Sequence, residues 1–172
     1  HLLEEARDII NQNKKFSVPV KAVRKVVFEG LFPHQNRMRT LTGLIGFYQR
    51  SGLQTLTHKT GIMKLFPETL ATMDLVLPKV PKMKAMKDRP SFLPAESTKK
   101  KQVAFFTGCL MDTMFLETNN ATMKLLQLAG CDIVIPKTQS CCGALHGHAG
   151  EKSGAKELAK RNIKAFEDLN ID

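Results

Sequence analysis

Residues 102–109, QVAFFTGC, decide how the chain reads. Gln102–Thr107 is a short apolar run of buried-strand type, and it ends at Gly108-Cys109. Working outward, residues 118–129 carry Ala121, Leu125 and Leu128 at helical spacing and close at Gly130. Asp132–Ile135 (DIVI) is a second short strand, ended by Pro136. Residues 153–169 form an amphipathic helix through Ala155, Leu158, Ala159, Ile163 and Phe166. Strand, helix, strand, loop and helix make up half of a parallel doubly wound sheet. Two strands are too few to stand alone. The expected fold class is therefore α/β, a partial doubly wound (Rossmann-like) unit.

The four cysteines all fall between positions 109 and 142. In a parallel α/β sheet, sites collect at the carboxyl ends of the strands. Cys109 lies two residues past the first strand, and Cys141 and Cys142 lie in the loop after the second. If the strands are neighbours, these sulfurs meet on one rim. Thiolates are soft ligands suited to zinc or iron–sulfur clusters. Adjacent side chains tend to diverge, which suits two irons of a cluster better than one tetrahedral ion. Gly108 and Gly143 let the backbone turn closely beneath such a group. His146 and His148 are candidate ligands or hydrogen-bond donors to sulfur.

Other readings stay open on the residues alone. A cysteine is often a small buried hydrophobe, and Cys131 is given that role. Zinc held by Cys109, Cys141, Cys142 and one histidine would make a structural interaction module, though the spacing matches no common finger. A nucleophilic cysteine with a histidine base gains nothing from two adjacent thiols. The glycine-containing run 143–154 has no phosphate-loop ending. His34 and His58 read as surface residues.

Upstream the grammar is helical. Residues 2–12 carry Leu2, Leu3, Ala6, Ile9 and Ile10 on one face. A second helix begins near Ser17, a plausible N-cap, runs through Val20, Val23, Val26, Val27 and Leu31, and stops at Pro33. A third spans 35–50 with Met38, Leu41, Leu44, Ile45 and Tyr48 inward, and shorter turns follow at 53–65 and 67–75. Residues 78–101 hold four of the eight prolines and eight Lys/Arg, which predicts a linker or extended strap outside any core.

The expected organisation is a helical connector over 1–77, a basic Pro-rich linker over 78–101, and a cysteine-rich α/β unit over 102–172. The 172 residues carry 26 Lys+Arg against 16 Asp+Glu, a net charge of +10. Residues 1–100 hold 18 basic and 8 acidic side chains, and residues 101–172 hold 8 of each, so the excess lies wholly in the first hundred. With 42% hydrophobic and 24% charged residues, the composition is globular. No run approaches the ~20 apolar residues that cross a bilayer. The first ten residues alternate charged and apolar side chains and show no signal-peptide layout, and the start at His1 without Met predicts a piece of something longer. Phe92 is the one aromatic in the strap, too few for base stacking, so its charge predicts a solvated, mobile strap and no nucleic acid, with docking to an acidic partner or membrane surface as the functional alternative.

GCLMD (108–112), NNAT (119–122), SCCGALHGHAGE (140–151) and LAKRNIKAFE (158–167) resemble the cysteine-rich CCG domain. The similarity is greatest to the iron–sulfur subunits of glycolate oxidase, with relatives in lactate-utilisation and heterodisulfide reductase subunits. LLEEARDII (2–10) resembles the helix that follows a ferredoxin-like module in that family. The resemblance implies that Cys109, Cys141 and Cys142 are ligands of a [4Fe–4S]-type cluster. It places no role on Cys131. It further implies electron transfer from a flavin-containing oxidase subunit, a place for a third subunit, and no hydroxy-acid active site on this chain. The family's last ligand element does not occur within these residues, which predicts a weakly held cluster or adventitious zinc. The expected setting is cytoplasmic, with peripheral docking at the inner face of the membrane.

Overall fold

The computed structural model describes residues 2–167, 169 and 171. His1, Asp168, Asn170 and Asp172 fall inside the expected connector, last helix and cysteine-rich unit, and they lie outside the described residues.

The connector is built from helices whose ends follow proline and glycine chemistry. α1 spans Leu2–Asn13 and α2 spans Val18–Lys25. Ser17 takes the extended N-cap conformation, but Pro19 and not a capping hydroxyl hydrogen bond marks that start. The helix runs on as a π-helical turn over Val26–Leu31, closed by Phe32 N–H donating to Val27 O at 3.0 Å, and ends before Pro33. α3 covers Gln35–Arg50, α4 Leu53–Thr60, and α5 Glu68–Val76, with a 3₁₀ turn at Ile62–Leu65.

The buried face of α3 differs from the expected one. Met38 is buried as predicted, but Leu41 and Leu44 are exposed, and Thr42, Gly43 and Gly46 face inward. Close approach is the reason. A Cβ at Gly43 would run into Met83 Cε, and one at Gly46 would meet Val80 Cγ1 at 3.1 Å. The glycine stripe lets the 78–101 segment lie directly on the helix.

That segment is consequently not the free strap its composition suggested. Gln49 Nε2 donates to Pro78 O at 3.0 Å and its Oε1 accepts from Val80 N–H at 3.0 Å. Val80 and Met86 are buried, Met86 completely. The segment forms α6 (Met83–Lys87) and then β1 (Phe92–Leu93). Proline and lysine content predicts local stiffness and solvation, whereas the fold is set here by a neighbour with no side chains in the way.

The sheet has the order β1-β3-β2, where β2 is Lys101–Ala104 and β3 is Cys131–Val134. β2 and β3 are parallel neighbours, with Lys101 opposite Cys131 and Ala104 opposite Val134. Their crossover is α7, Leu116–Leu128. β1 pairs antiparallel with β3, Phe92 opposite Val134. Met123, Ile133 and Ile135 form the core beneath the sheet, with Val103, Phe105, Leu126 and Leu93 against them. α8 (Ala144–His148) and α9 (Lys152–Glu167) follow β3. The architecture is thus helix-rich and mixed, with a small three-stranded sheet. No described helix is long and apolar enough to cross a membrane.

The connector sits against the α8–α9 turn. Arg24 pairs with Glu151 at 2.8 Å, and Arg7 Nη1 donates to His148 O at 2.8 Å. Arg24 also stacks over Phe16 and Phe28, 4.7 and 5.6 Å from the ring centroids.

Candidate metal centre

The parallel pairing of β2 with β3 brings two strand-end loops together, and side-chain amides tie them. Gln139 Oε1 accepts from Thr107 N–H at 2.7 Å, while its Nε2 donates to Pro136 O at 3.0 Å. Asn119 on α7 donates to Thr107 O at 2.9 Å. On the other side, Asn162 of α9 accepts from Ser140 N–H at 2.8 Å and donates to Cys141 O at 2.9 Å. Thr113 Oγ1 donates to Cys109 O at 3.0 Å. Three amide side chains therefore fix the backbone on both flanks of the cysteines.

Within that frame Cys109 Sγ and Cys141 Sγ lie 3.4 Å apart. Both are buried, with Leu158, Phe32 and Leu110 packed around them. The shared hydrogen bond stabilises one thiolate at the other thiol's expense. Cys109 is lowered to about 7 by the hydrogen bond from Cys141, against the opposing effect of burial. Cys141 is pushed well up, by that same bond and then by burial. An anion on one sulfur makes a second one beside it costly. A cation or cluster lifts that penalty.

Cys142 is exposed and borders a shallow cavity of about 440 Å³ with Glu4, Glu5 and Ala159. Among the described residues no three His, Cys, Asp or Glu side chains are grouped to share a metal ion. Gly143 follows with φ +80°, and a Cβ there would lie 3.2 Å from Ala155 Cα and O. Only glycine allows both that turn and the closeness of α9. Gly108 adopts φ +68° before Cys109, in more open space. Cys131 is half-buried on β3, in register with Lys101 and away from the pair.

The two histidines face elsewhere. His146 is buried, its Nε2 2.8 Å from Phe28 O and its ring edge-on to Phe28 and Phe32. It packs against the connector and not against sulfur. His148 is exposed, with Nδ1 2.9 Å from Glu4 Oε1. Of the other histidines, His58 is exposed, as its context predicts, and reaches the buried carboxylate of Asp74.

Asp112, three residues past Cys109, went unread in the sequence beyond its place in GCLMD. It is fully buried. Arg39 Nη2 and Gln35 Nε2 donate to its Oδ2 at 2.8 and 2.9 Å, and Arg89 Nε sits 2.7 Å from Oδ1. Burial lowers the Arg89 pKa, Asp112 opposes this, and neighbouring Arg39 lowers it further. Arg39 comes from α3 and Arg89 from the strap, so one carboxylate joins three segments. A lone aspartate carries no such signal without the fold.

Comparisons with known proteins find relatives of both parts of the chain. Residues 19–77 match the family model described as glycolate oxidase iron–sulfur subunit, linker region, and residues 103–172 match the cysteine-rich domain model, CCG. Over 171 residues, 99% of the chain, it is 67% identical to a probable glycolate oxidase iron–sulfur subunit of Bacillus subtilis, of which it spans 38%. An uncharacterized iron–sulfur protein of Methanocaldococcus jannaschii is 39% identical over 87 residues, 51% of this chain and 18% of the relative. Lactate utilization protein A of an Exiguobacterium species is 37% identical over 70 residues, 41% of this chain and 29% of the relative. The chain thus spans well under half the length of these relatives. No solved structure matches. Residues 103–172 belong to the cysteine-rich CCG domain family, joined over residues 19–77 to the linker region of glycolate oxidase iron–sulfur subunits.

Proposed function

We propose that the chain is part of an iron–sulfur electron-transfer subunit of a 2-hydroxy-acid oxidase, glycolate being the favoured acid, with Cys109, Cys141 and Cys142 as cluster ligands. The observation that carries this reading is the buried Cys109–Cys141 pair, 3.4 Å apart at the carboxyl ends of two parallel strands. The donor chemistry fits: two thiols converge with no carboxylate between them, a soft set that favours iron–sulfur or zinc over hard cations. Cys142 is the proposed third ligand as the chain neighbour of Cys141; its side chain is exposed, so it completes the set only by turning toward the pair.

A cluster bound there, of [4Fe–4S] type, supplies one-electron relay. The chain's own residues hold and insulate it. Leu158, Phe32 and Leu110 exclude water from the sulfurs, and Asn162, Gln139 and Thr113 orient the two loops. Among the described residues no side chain near the pair is arranged as a base for an alcohol; the reading assigns oxidation of the hydroxy acid to a flavin-containing subunit.

The same reading divides the chain into a connector (1–77), a basic linker (78–101) and the CCG unit (102–172). It makes the parallel β2–β3 pair the first half of a doubly wound sheet. The exposed Lys79, Lys82, Lys84 and Lys87 support docking to an acidic partner or the inner membrane face in the cytoplasm.

The test is anaerobic reconstitution with iron and sulfide, followed by metal and sulfide analysis and visible absorption. Cys109→Ser and Cys141→Ser are expected to lose the cluster, and Cys131→Ser to keep it. A stoichiometric cluster that survives Cys109→Ser would overturn the ligand assignment, and zinc without sulfide, retained in the full-length protein, would overturn the relay.

A further inference from the structure

Where β2 and β3 end, a cleft of about 640 Å³ opens between the first turn of α3, the strap and the two strand-end loops. Its charged lining is one-sided. Arg37, Arg39, Lys87, Arg89 and Lys137 border it, and Asp112 is the one acidic side chain doing so among the described residues. That carboxylate is already shared by Arg39, Arg89 and Gln35. Among the described residues no second carboxylate borders the cleft to balance Arg37, Lys87 and Lys137, and Arg37 Nη1 donates only to the carbonyl of Gly30, at 2.7 Å.

Two independent features point the same way. α3 is 16 residues long, no side chain caps it, and its first turn holds no acid. Its leading N–H groups and the positive end of its dipole are thus uncompensated and reinforced by Arg37 and Arg39. Separately, the Arg89 side chain is only 8% exposed, and its Nη2 has no hydrogen-bond partner among the described residues. A buried guanidinium with an unused donor is costly, and Arg89 with the part-exposed Arg39 sets two positive charges against the one carboxylate of Asp112. A solvated basic surface would not bury its cation.

We propose that this cleft binds a small oxyanion, the carboxylate or phosphate of a small molecule, against the α3 N-terminus and the Arg39–Arg89 pair. The volume suits a small-molecule site. Helix N-termini and arginines are the donors that oxyanions select. Gly108 and Ser140 border the cleft and directly precede Cys109 and Cys141, so a bound anion lies beside the thiol pair. The site does not depend on what the sulfurs hold.

Titration calorimetry on the protein with inorganic phosphate, glycolate and oxalate, at ionic strength held constant with potassium chloride, tests this. The expected result is saturable one-site binding of at least one probe. Phosphate preference identifies a phosphorylated ligand, and carboxylate preference identifies an organic acid. Lys137→Gln and Arg37→Gln, both at exposed positions, should each weaken binding by roughly three- to tenfold, with Lys137→Gln the cleaner test because Arg37 also donates to Gly30 O. Amide resonances of Gln35, Asn36 and Arg37 should shift with occupancy. The proposal is overturned by the absence of saturable binding above the chloride background. It is equally overturned by binding that neither variant alters and that leaves the α3 amides unmoved. Either result leaves the cluster assignment untouched, because iron and sulfide content is read separately.

Discussion

The Sγ atoms of Cys109 and Cys141, 32 residues apart in the chain, lie 3.4 Å from one another at the ends of two parallel strands. Cys142, the next residue, is exposed while Cys141 is buried. Vicinal cysteines therefore take opposite environments, and the pairing partner of Cys141 is remote in sequence.

Oxidation of the metal-free protein reads this geometry directly. Diamide treatment is expected to join Cys109 to Cys141, leaving Cys131 and Cys142 open to alkylation. Non-reducing peptide mapping checks it. A predominant Cys141–Cys142 link would contradict the arrangement, which a disulfide could reach only by small side-chain rotations from the observed separation.

Asp112→Asn should be severely destabilising, by about 3–5 kcal/mol, because it leaves the Arg39 and Arg89 guanidiniums near one another without their counter-charge. Urea unfolding gives the number. Asp112 also joins α3 to the strap and to the Cys109 turn, so the expected loss is of global stability. A loss below 1 kcal/mol would show that water or another anion already neutralises the pair.

Two glycines with the same backbone angle separate conformation from crowding. Gly52 and Gly143 both have φ +80°, but a Cβ at Gly52 meets nothing within 4 Å, whereas one at Gly143 meets Ala155 at 3.2 Å. Gly52→Ala should cost about 1 kcal/mol for left-handed strain alone. Gly143→Ala should cost about 2–4 kcal/mol, since α9 must also move. Equal losses in chemical denaturation would refute the crowding argument.

Asp132 supplies the pH dependence. Its Oδ1 accepts from Ala95 N–H at 2.8 Å and its Oδ2 pairs with Lys99 at 2.8 Å. These hold its carboxyl below the ordinary value of 3.8, the Lys99 bond contributing most. A carboxylate lowered in the folded state contributes stability fully above its unfolded value and loses it as pH falls through the folded one. Asp132→Asn should therefore lower the melting temperature at pH 6 and 7, with the difference from wild type shrinking below about pH 4. A difference that persists undiminished at pH 3 would place the effect in packing and not in charge.

Much of this was legible in the chain. The strand at 102–107, the crossover helix and the strand at 132–135 appear as β2, α7 and β3, shifted by one to three residues, and the helix over 35–50 is α3 without change. Periodicity finds such elements because side-chain direction repeats with the backbone. It fails for α3's buried face: the leucine stripe at Leu41 and Leu44 is exposed, and Gly43 and Gly46 are covered. Hydrophobicity ranks side chains, but close approach rewards having none.

The chain by itself determined the elements, the clustering of its cysteines, and the division of charge between a basic first hundred residues and a neutral remainder. Those are local properties, read from spacing and composition. Only the tertiary structure decided that Cys141 and not Cys142 meets Cys109, that His146 turns to Phe28 O, and that Arg39, Arg89 and Asp112 form one buried group. Each joins residues dozens of positions apart, and the packing of strands and glycine faces alone fixes which of them touch.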